Sequence, residues 1–488
     1  MATLTMLTTP SPKRFLYMSL LNKIVIYGSL RMVYPLLSYL ADDWGLTRTE
    51  IGYILGLSEI GGIPAGFLAT LGDIYGTRRV GLLSYSLFIV ASFLMLVPPT
   101  FVGLAVIRVL LMTTGTLYAI VSTTAMLQEH VGKGAGWITG ISETGWALCS
   151  FTLLPILALI YEIFDWRAPF VVVALFTTLL LPEVYVDFPK HDVTPHTSSR
   201  GENSSSSRSK RSLWGKFKRS HYVEVMCMPG PVLFAVSGFF FSMAHNLTYI
   251  IFVNWAVDVH GLHADDMGGA TFAIGAAEII GAVLVVLFAD RIGLYWSIYL
   301  CNISFFVGLI VFSLYGQFAA GAGIAGGVAI ISIVMLPGQF SLVAQVAAMD
   351  DLVGPRLLST AMGLNFQLFF AGRAVGAVIA DPIWVSGGLV WSGVLDAVCI
   401  LISLILLKLA EPYLITKGSE NSETSTSDIE EQPALESQSS FKSGSSYEVP
   451  VSTDDVSESS DQVAHIDVKV EVNIDTGSHE GKQEVDIQ

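Results

Sequence analysis

The chain of 488 residues is 52% hydrophobic and 14% charged, with a mean hydropathy of +0.61, which excludes a soluble globular protein of that length. Its net charge of −15 is concentrated at the end, because residues 411–488 hold 18 acidic and 4 basic residues and supply −14 of it. Residues 1–410 are near neutral and belong mostly in lipid.

A bilayer core about 30 Å thick takes roughly 20 apolar residues per helix. After an N-terminal segment, 1–14, apolar runs predict spans at 15–40, 51–72, 80–98, 101–126, 134–160 and 168–186. Six more follow at 231–257, 266–289, 294–316, 318–347, 358–380 and 388–409. The expected class is an all-α polytopic membrane protein with 12 transmembrane helices, in sets covering 15–186 and 231–410. The first run is too long for a signal-peptide core and is expected to be retained.

Residues 187–230 form a polar linker with a serine tract at 204–207. Its 213–219 stretch, Leu-Trp-Gly-Lys-Phe-Lys-Arg, reads either as a basic amphipathic helix on anionic lipid or as plain solvated linker. Residues 411–488 are expected to be disordered, being acidic, serine-rich and poor in aromatics. They are a place for cytosolic partners. With the N-terminus in the cytoplasm, sixteen Lys and Arg fall on the inner side and only Arg48 and Arg167 outside, so both termini are expected to be cytoplasmic. Sequons at Asn203, Asn246 and Asn302 then lie in the linker or within helices, and none is expected to be glycosylated. Cys149, Cys227, Cys301 and Cys399 have no metal-ligand spacing and read as small buried hydrophobes.

Two loops repeat a pattern: Asp73-Ile74-Tyr75-Gly76-Thr77-Arg78-Arg79, preceded by Glu59 and Gly61, and Asp290-Arg291-Ile292-Gly293, preceded by Glu278 and Gly281. A duplicated membrane unit explains both. The first loop resembles motif A of the major facilitator superfamily, with Ala69 in place of the family's first glycine, Ile74 after the aspartate and the basic pair displaced by Thr77. The second resembles the helix 8 to 9 loop without its basic pair. Asp165-Trp166-Arg167-Ala168-Pro169-Phe170 looks like the turn before helix 6, and Arg108 holds the place of the motif B arginine. The helix 5 antiporter motif is absent.

The resemblance covers residues 15–410. It implies two six-helix bundles rocking about a central site lined by helices 1, 4, 7 and 10. It also assigns gating to Asp73, Gly76, Arg78, Arg79, Asp290, Arg291 and Gly293, with Asp73 latched on the N-terminus of helix 11 near Ser359.

Charges inside spans are costly and face a cavity or a partner. At 100° per residue, Lys23, Tyr27, Arg31, Tyr34 and Ser38 share one face of the first helix. Two cations there favour an anionic group, or else neutralise buried glutamates. By depth, Arg31 and Arg373 are both able to approach Glu59, Lys23 is matched to Glu143, and Arg108 lies at a depth similar to Arg373. Glu59, Glu143 and Glu278 are proton carriers or fixed ion-pair members. His245, Thr248, Tyr249 and Phe252 make a hydrogen-bonding and stacking face, and Asn365 and Arg373 share a face of the eleventh span.

No phosphate-binding loop or His-Glu-x-x-His pattern occurs. The expectation is therefore no enzyme, cofactor, metal or nucleic-acid partner. The leading function is secondary active transport of a small polar or anionic organic solute by alternating access, with protons as the candidate coupling ion and lipid as the surroundings. The alternative is a transporter-like receptor or adaptor signalling through the acidic tail. Sequence does not distinguish plasma from organelle membrane.

Overall fold

The computed structural model describes residues 12–34, 36, 40, 43–97, 100–129, 135–189, 221–262, 264–318, 323–353 and 356–427. The 213–219 stretch, Ser38, Asn203 and the tail beyond residue 427 lie outside these, so the expectations placed on them stay as stated.

Span 1 is the helix Pro12–Arg31, continued by a turn to Tyr34. Span 2 runs through Arg48–Ile60, Gly62–Leu68 and Thr70–Tyr75. Its start is a capping box in which Thr47 and Glu50 exchange side-chain to backbone bonds. Span 3 is Thr77–Leu94 and span 4 is Phe101–Glu129. Span 5 joins Ala135–Leu148 to Leu154–Ile163 through a π-helical turn, Cys149–Leu153, and span 6 is Arg167–Asp187. Asp165 Oδ1 caps span 6 by accepting from the amides of Arg167 at 2.9 Å and Ala168 at 3.1 Å.

A short helix, His221–Met226, precedes span 7, Pro229–His260. Span 8 contains Ala264–Leu284, a second π turn at Val285–Ala289, and Asp290–Ile292. Spans 9 and 10 are Leu294–Phe318 and Ile324–Val353. The helical run Leu358–Ser427 supplies spans 11 and 12, which part at Gly388, where φ 55° and ψ −144° break the helix.

Ten helices among the described residues are long and apolar enough to cross a membrane. One of them, Leu358–Tyr413, has 56 residues and the length of two crossings. Span 1 is not among the ten because Lys13, Arg14, Lys23 and Arg31 dilute its apolar run. The architecture is all-α, with two six-helix bundles as expected. Leu83, Val106, Leu179 and Ile333 are exposed on outer faces, where lipid is the solvent.

Within the first bundle, span 1 packs on spans 5 and 6, and span 4 on spans 2 and 3. In the second, span 8 packs on span 10 and span 9 on span 10. The halves meet where span 2 lies along span 11 and span 5 along span 8. Glycines allow both approaches. A Cβ on Gly66 or on Gly363 would fall 2.2 Å from the other's carbonyl oxygen, and one on Gly275 would fall 2.8 Å from the Phe151 amide nitrogen.

The cysteine expectation holds only in part. All four are free and Cys149 and Cys399 are buried, but Cys227 is exposed, because it follows the short helix rather than lying inside a span.

Candidate functional site

Both repeated loops turn on a glycine with φ 92°, Gly76 and Gly293, a backbone conformation that side-chain-bearing residues avoid. Each turn leaves its aspartate facing a helix N-terminus of the opposite bundle. Asp73 Oδ2 accepts from Thr360 N at 2.9 Å and Thr360 Oγ1 at 2.6 Å, in the first turn of span 11. Asp290 accepts from Gly136 N and Trp137 N, both at 3.1 Å, in the first turn of span 5. Orphan amides and the positive end of the helix dipole favour a carboxylate at both places. On the face carrying these loops, both contacts tie one bundle to the other.

Arg78 serves differently, donating to the carbonyls of Phe188 at 2.6 Å and Tyr185 at 2.8 Å and so capping span 6. Arg79 and Arg291 are exposed. The departure at Ala69 is matched from across the seam: its methyl lies against Gly363, where any Cβ would approach within 2.9 Å.

Deeper in the protein, three buried ion pairs neutralise the charges of the spans. Lys23 Nζ lies 2.6 Å from Glu143 Oε1 and 2.6 Å from Thr123 Oγ1, and Tyr27 OH donates to Glu143 Oε2 at 3.0 Å. Arg31 donates to both oxygens of Glu278, at 3.0 and 3.1 Å, tying span 1 to span 8. Arg373 grips Glu59 through Nε and a terminal nitrogen, each at 3.0 Å, tying span 11 to span 2, and Tyr34 OH joins Glu59. The last two pairs cross between bundles. Such two-pronged geometry is what lets a guanidinium offset the desolvation of both charges.

The expected Arg31–Glu59 contact is therefore replaced by Arg31–Glu278, since span 8 brings its own glutamate to Arg31. Arg108 has no carboxylate partner among the described residues. It donates to the carbonyls of Ser29 at 3.1 Å and Leu30 at 2.7 Å, satisfying the last turn of Pro12–Arg31.

Trp146 of span 5 was not picked out from the sequence. The guanidinium carbons of Arg31 and Arg373 lie 4.5 and 5.4 Å from its ring centroid, and Tyr27 meets it edge-on at 5.0 Å. Nothing in the chain distinguishes it from the other tryptophans.

On the face away from the loops, a cavity of about 470 Å³ is lined by Tyr34, Tyr249, Asn254, Asp258, Asp381 and Trp384 together with aliphatic side chains. A smaller one of about 50 Å³ touches Tyr27, Glu143, Trp146, Gln339, Gln345 and Asn365. Tyr249 thus reaches a cavity wall, and Asn365 reaches the small chamber. His245 does not accompany Tyr249. It is buried against Phe241 and Phe305, and among the described residues neither ring nitrogen has a hydrogen-bond partner. Thr248 and Phe252 likewise face the bundle interior, bonding Asp396 and packing on Phe312. The face expected on span 7 is divided between cavity and core.

No curated protein matches the chain. Among solved structures it is similar to the human organic anion transporter MFSD10 (TETRAN), at 15% identity and a TM-score of 0.60, over 82% of this chain and 100% of that one. That likeness concerns the fold. The sequence profile of the Major Facilitator Superfamily matches residues 20–377, which include the Asp73 and Asp290 loops and the three ion pairs, and the chain belongs to that superfamily of transporters.

Proposed function

We propose that this protein is a secondary active transporter of a small polar or anionic organic solute, working by alternating access and driven by protons. The observation that supports it best is the pairing of a 470 Å³ cavity on one face with carboxylate latches at both loops on the other. One face is closed while the other is hollow. By the positive-inside rule the loops and both termini are cytoplasmic, so the hollow face looks away from the cytoplasm.

Tyr34 and Tyr249 join the cavity to the charged layer, because Tyr34 also binds Glu59 and the Tyr249 ring lies 5.9 Å from the Arg31 guanidinium. An anionic solute arriving there competes with Glu59 and Glu278 for Arg373 and Arg31. Displacing or protonating those glutamates frees the two bundles from each other, which couples cargo or proton to rocking. Arg108 braces the end of the first helix at that layer, and Lys23, Glu143 and Asn365 shape the layer beneath.

The deciding experiment is solute uptake into proteoliposomes holding the full chain, with an organic-anion panel and an imposed pH gradient. Uptake accelerated by the gradient and lost in Arg373→Ala supports the proposal. Ligand binding without flux in either direction would instead favour a receptor.

A further inference from the structure

Five acidic residues are buried among the described residues: Glu59, Glu143, Asp187, Glu278 and Asp396. Four have a cation within 3.0 Å. The fifth, Asp396 in span 12, is 2% exposed; among the described residues its only hydrogen bond is to Thr248 of span 7, 2.9 Å from Oδ2, and Oδ1 has no partner.

Among the described residues, its surroundings supply no charge. Span 7 presents Thr248 and, one turn earlier, His245. On span 9, the contacts Asn302–Ser403 and Ser313–Gly393 bracket the level of Asp396, and the side chains buried between them are Phe305, Leu309 and Phe312. On span 12 itself the titratable neighbour is the Cys399 thiol, one turn away, which contacts the Met243 sulfur at 3.9 Å. A carboxylate placed there without a cation would carry the full cost of burying a charge.

The Thr248 contact accommodates a neutral carboxyl as well. Thr248 Oγ1 lies 2.8 Å from the carbonyl of Ala244 and 2.9 Å from Asp396 Oδ2. A hydroxyl has one hydrogen, and a carbonyl only accepts. That hydrogen goes either to Asp396 Oδ2 or to Ala244, and in the second case a neutral carboxyl completes the contact by donating to Thr248; the lack of a cation beside a buried carboxyl is what favours the neutral acid.

We propose that Asp396 is a proton-binding site inside the C-terminal bundle, occupied at neutral pH and separate from the ion-paired glutamates of the interface. The bound species is one proton on the carboxyl group. Thr248 adjoins Tyr249, whose ring meets Tyr34 of the other bundle at 6.1 Å. Rocking that moves Tyr249 therefore acts on the Asp396–Thr248 contact. This gives the proton-driven reading a place to load and release its proton, although occupancy of the site does not depend on that reading.

The test is infrared spectroscopy of the purified full chain in a maltoside detergent, which has no carbonyl of its own. At neutral pH the wild type should show the carbonyl-stretch band of a neutral carboxylic acid, moved by carboxyl-13C aspartate labelling. The band should be lost in Asp396→Asn and displaced in Thr248→Val, a variant that leaves the carboxyl in place. A wild type with no such band, or a band left unmoved by both substitutions, overturns the proposal.

Discussion

At the scale of single residues, Arg31 and Glu278 form the contact whose removal should be felt most. Deleting one member of a buried pair strands the other, a loss of about 3–5 kcal/mol. Glu278→Ala should lower the thermal stability of the detergent-solubilised protein by that order. Combining Arg31→Met with Glu278→Leu should restore most of it, since no charge is then stranded. A double-variant loss equal to the sum of the two single losses would show that the two groups do not act on each other. A smaller effect belongs to Glu50, whose carboxyl is held below its ordinary value of 4.5 by the Thr47 amide and hydroxyl. Its folded value is depressed, so the capping contribution is present above 4.5 and is lost as pH falls through the lower, folded value. Amide exchange in the first turn of span 2 should accelerate in that window, and Thr47→Ala should abolish the acceleration.

At the scale of elements, the seam between spans 2 and 11 depends on bare backbone. Gly363→Ala drives a methyl into the Gly66 carbonyl, 2.2 Å away, where neither side has a flexible atom to yield. Overpacking of this kind costs about 1–3 kcal/mol. It should part the two helices and raise the reactivity of a cysteine placed at Ser359, which now donates to the Ala69 carbonyl at 2.7 Å. Gly56→Ala makes a matched control, because its Cβ would meet the Val378 side chain at 3.0 Å, which has room to shift. If Gly56→Ala and Gly363→Ala raise labelling equally, close backbone approach is not what holds the seam.

At the scale of the whole molecule, the proposed alternating access makes Asp73 and Asp290 latches on one equilibrium, since each bonds a helix start in the opposite bundle. A hydrogen bond to a charged group contributes roughly 1.5–3 kcal/mol, and every 1.4 kcal/mol is about tenfold. Asp73→Ala and Asp290→Ala should each raise labelling of loop-side cysteines by about tenfold or more. The double variant should approach the product of the two factors, since independent energies add. A double variant no more reactive than either single one would show that the two contacts act as one unit rather than independently.

Hydropathy made the all-α class and the crossings legible, because a span must be long and apolar to lie in lipid. Asp73 and its target near Ser359 were legible because the loop, the turn glycine and the start of span 11 are local features. Lys23–Glu143 and Arg373–Glu59 were within reach of depth matching. Arg31–Glu278 was not, for depth along a helix gives height but not direction around the bundle, and the repeat sets Glu59 and Glu278 at like positions. Only packing chose between them. The carbonyls that Arg108 binds were not legible, because the helix end it caps, after Arg31, bears no mark in the sequence. Trp146 became significant only when folding brought two guanidinium groups onto its ring. The sequence by itself determined what must lie in lipid and which charges need partners, since transfer energies belong to residues; tertiary structure alone decided which partner each charge has, since that depends on the rotation and approach of neighbouring helices.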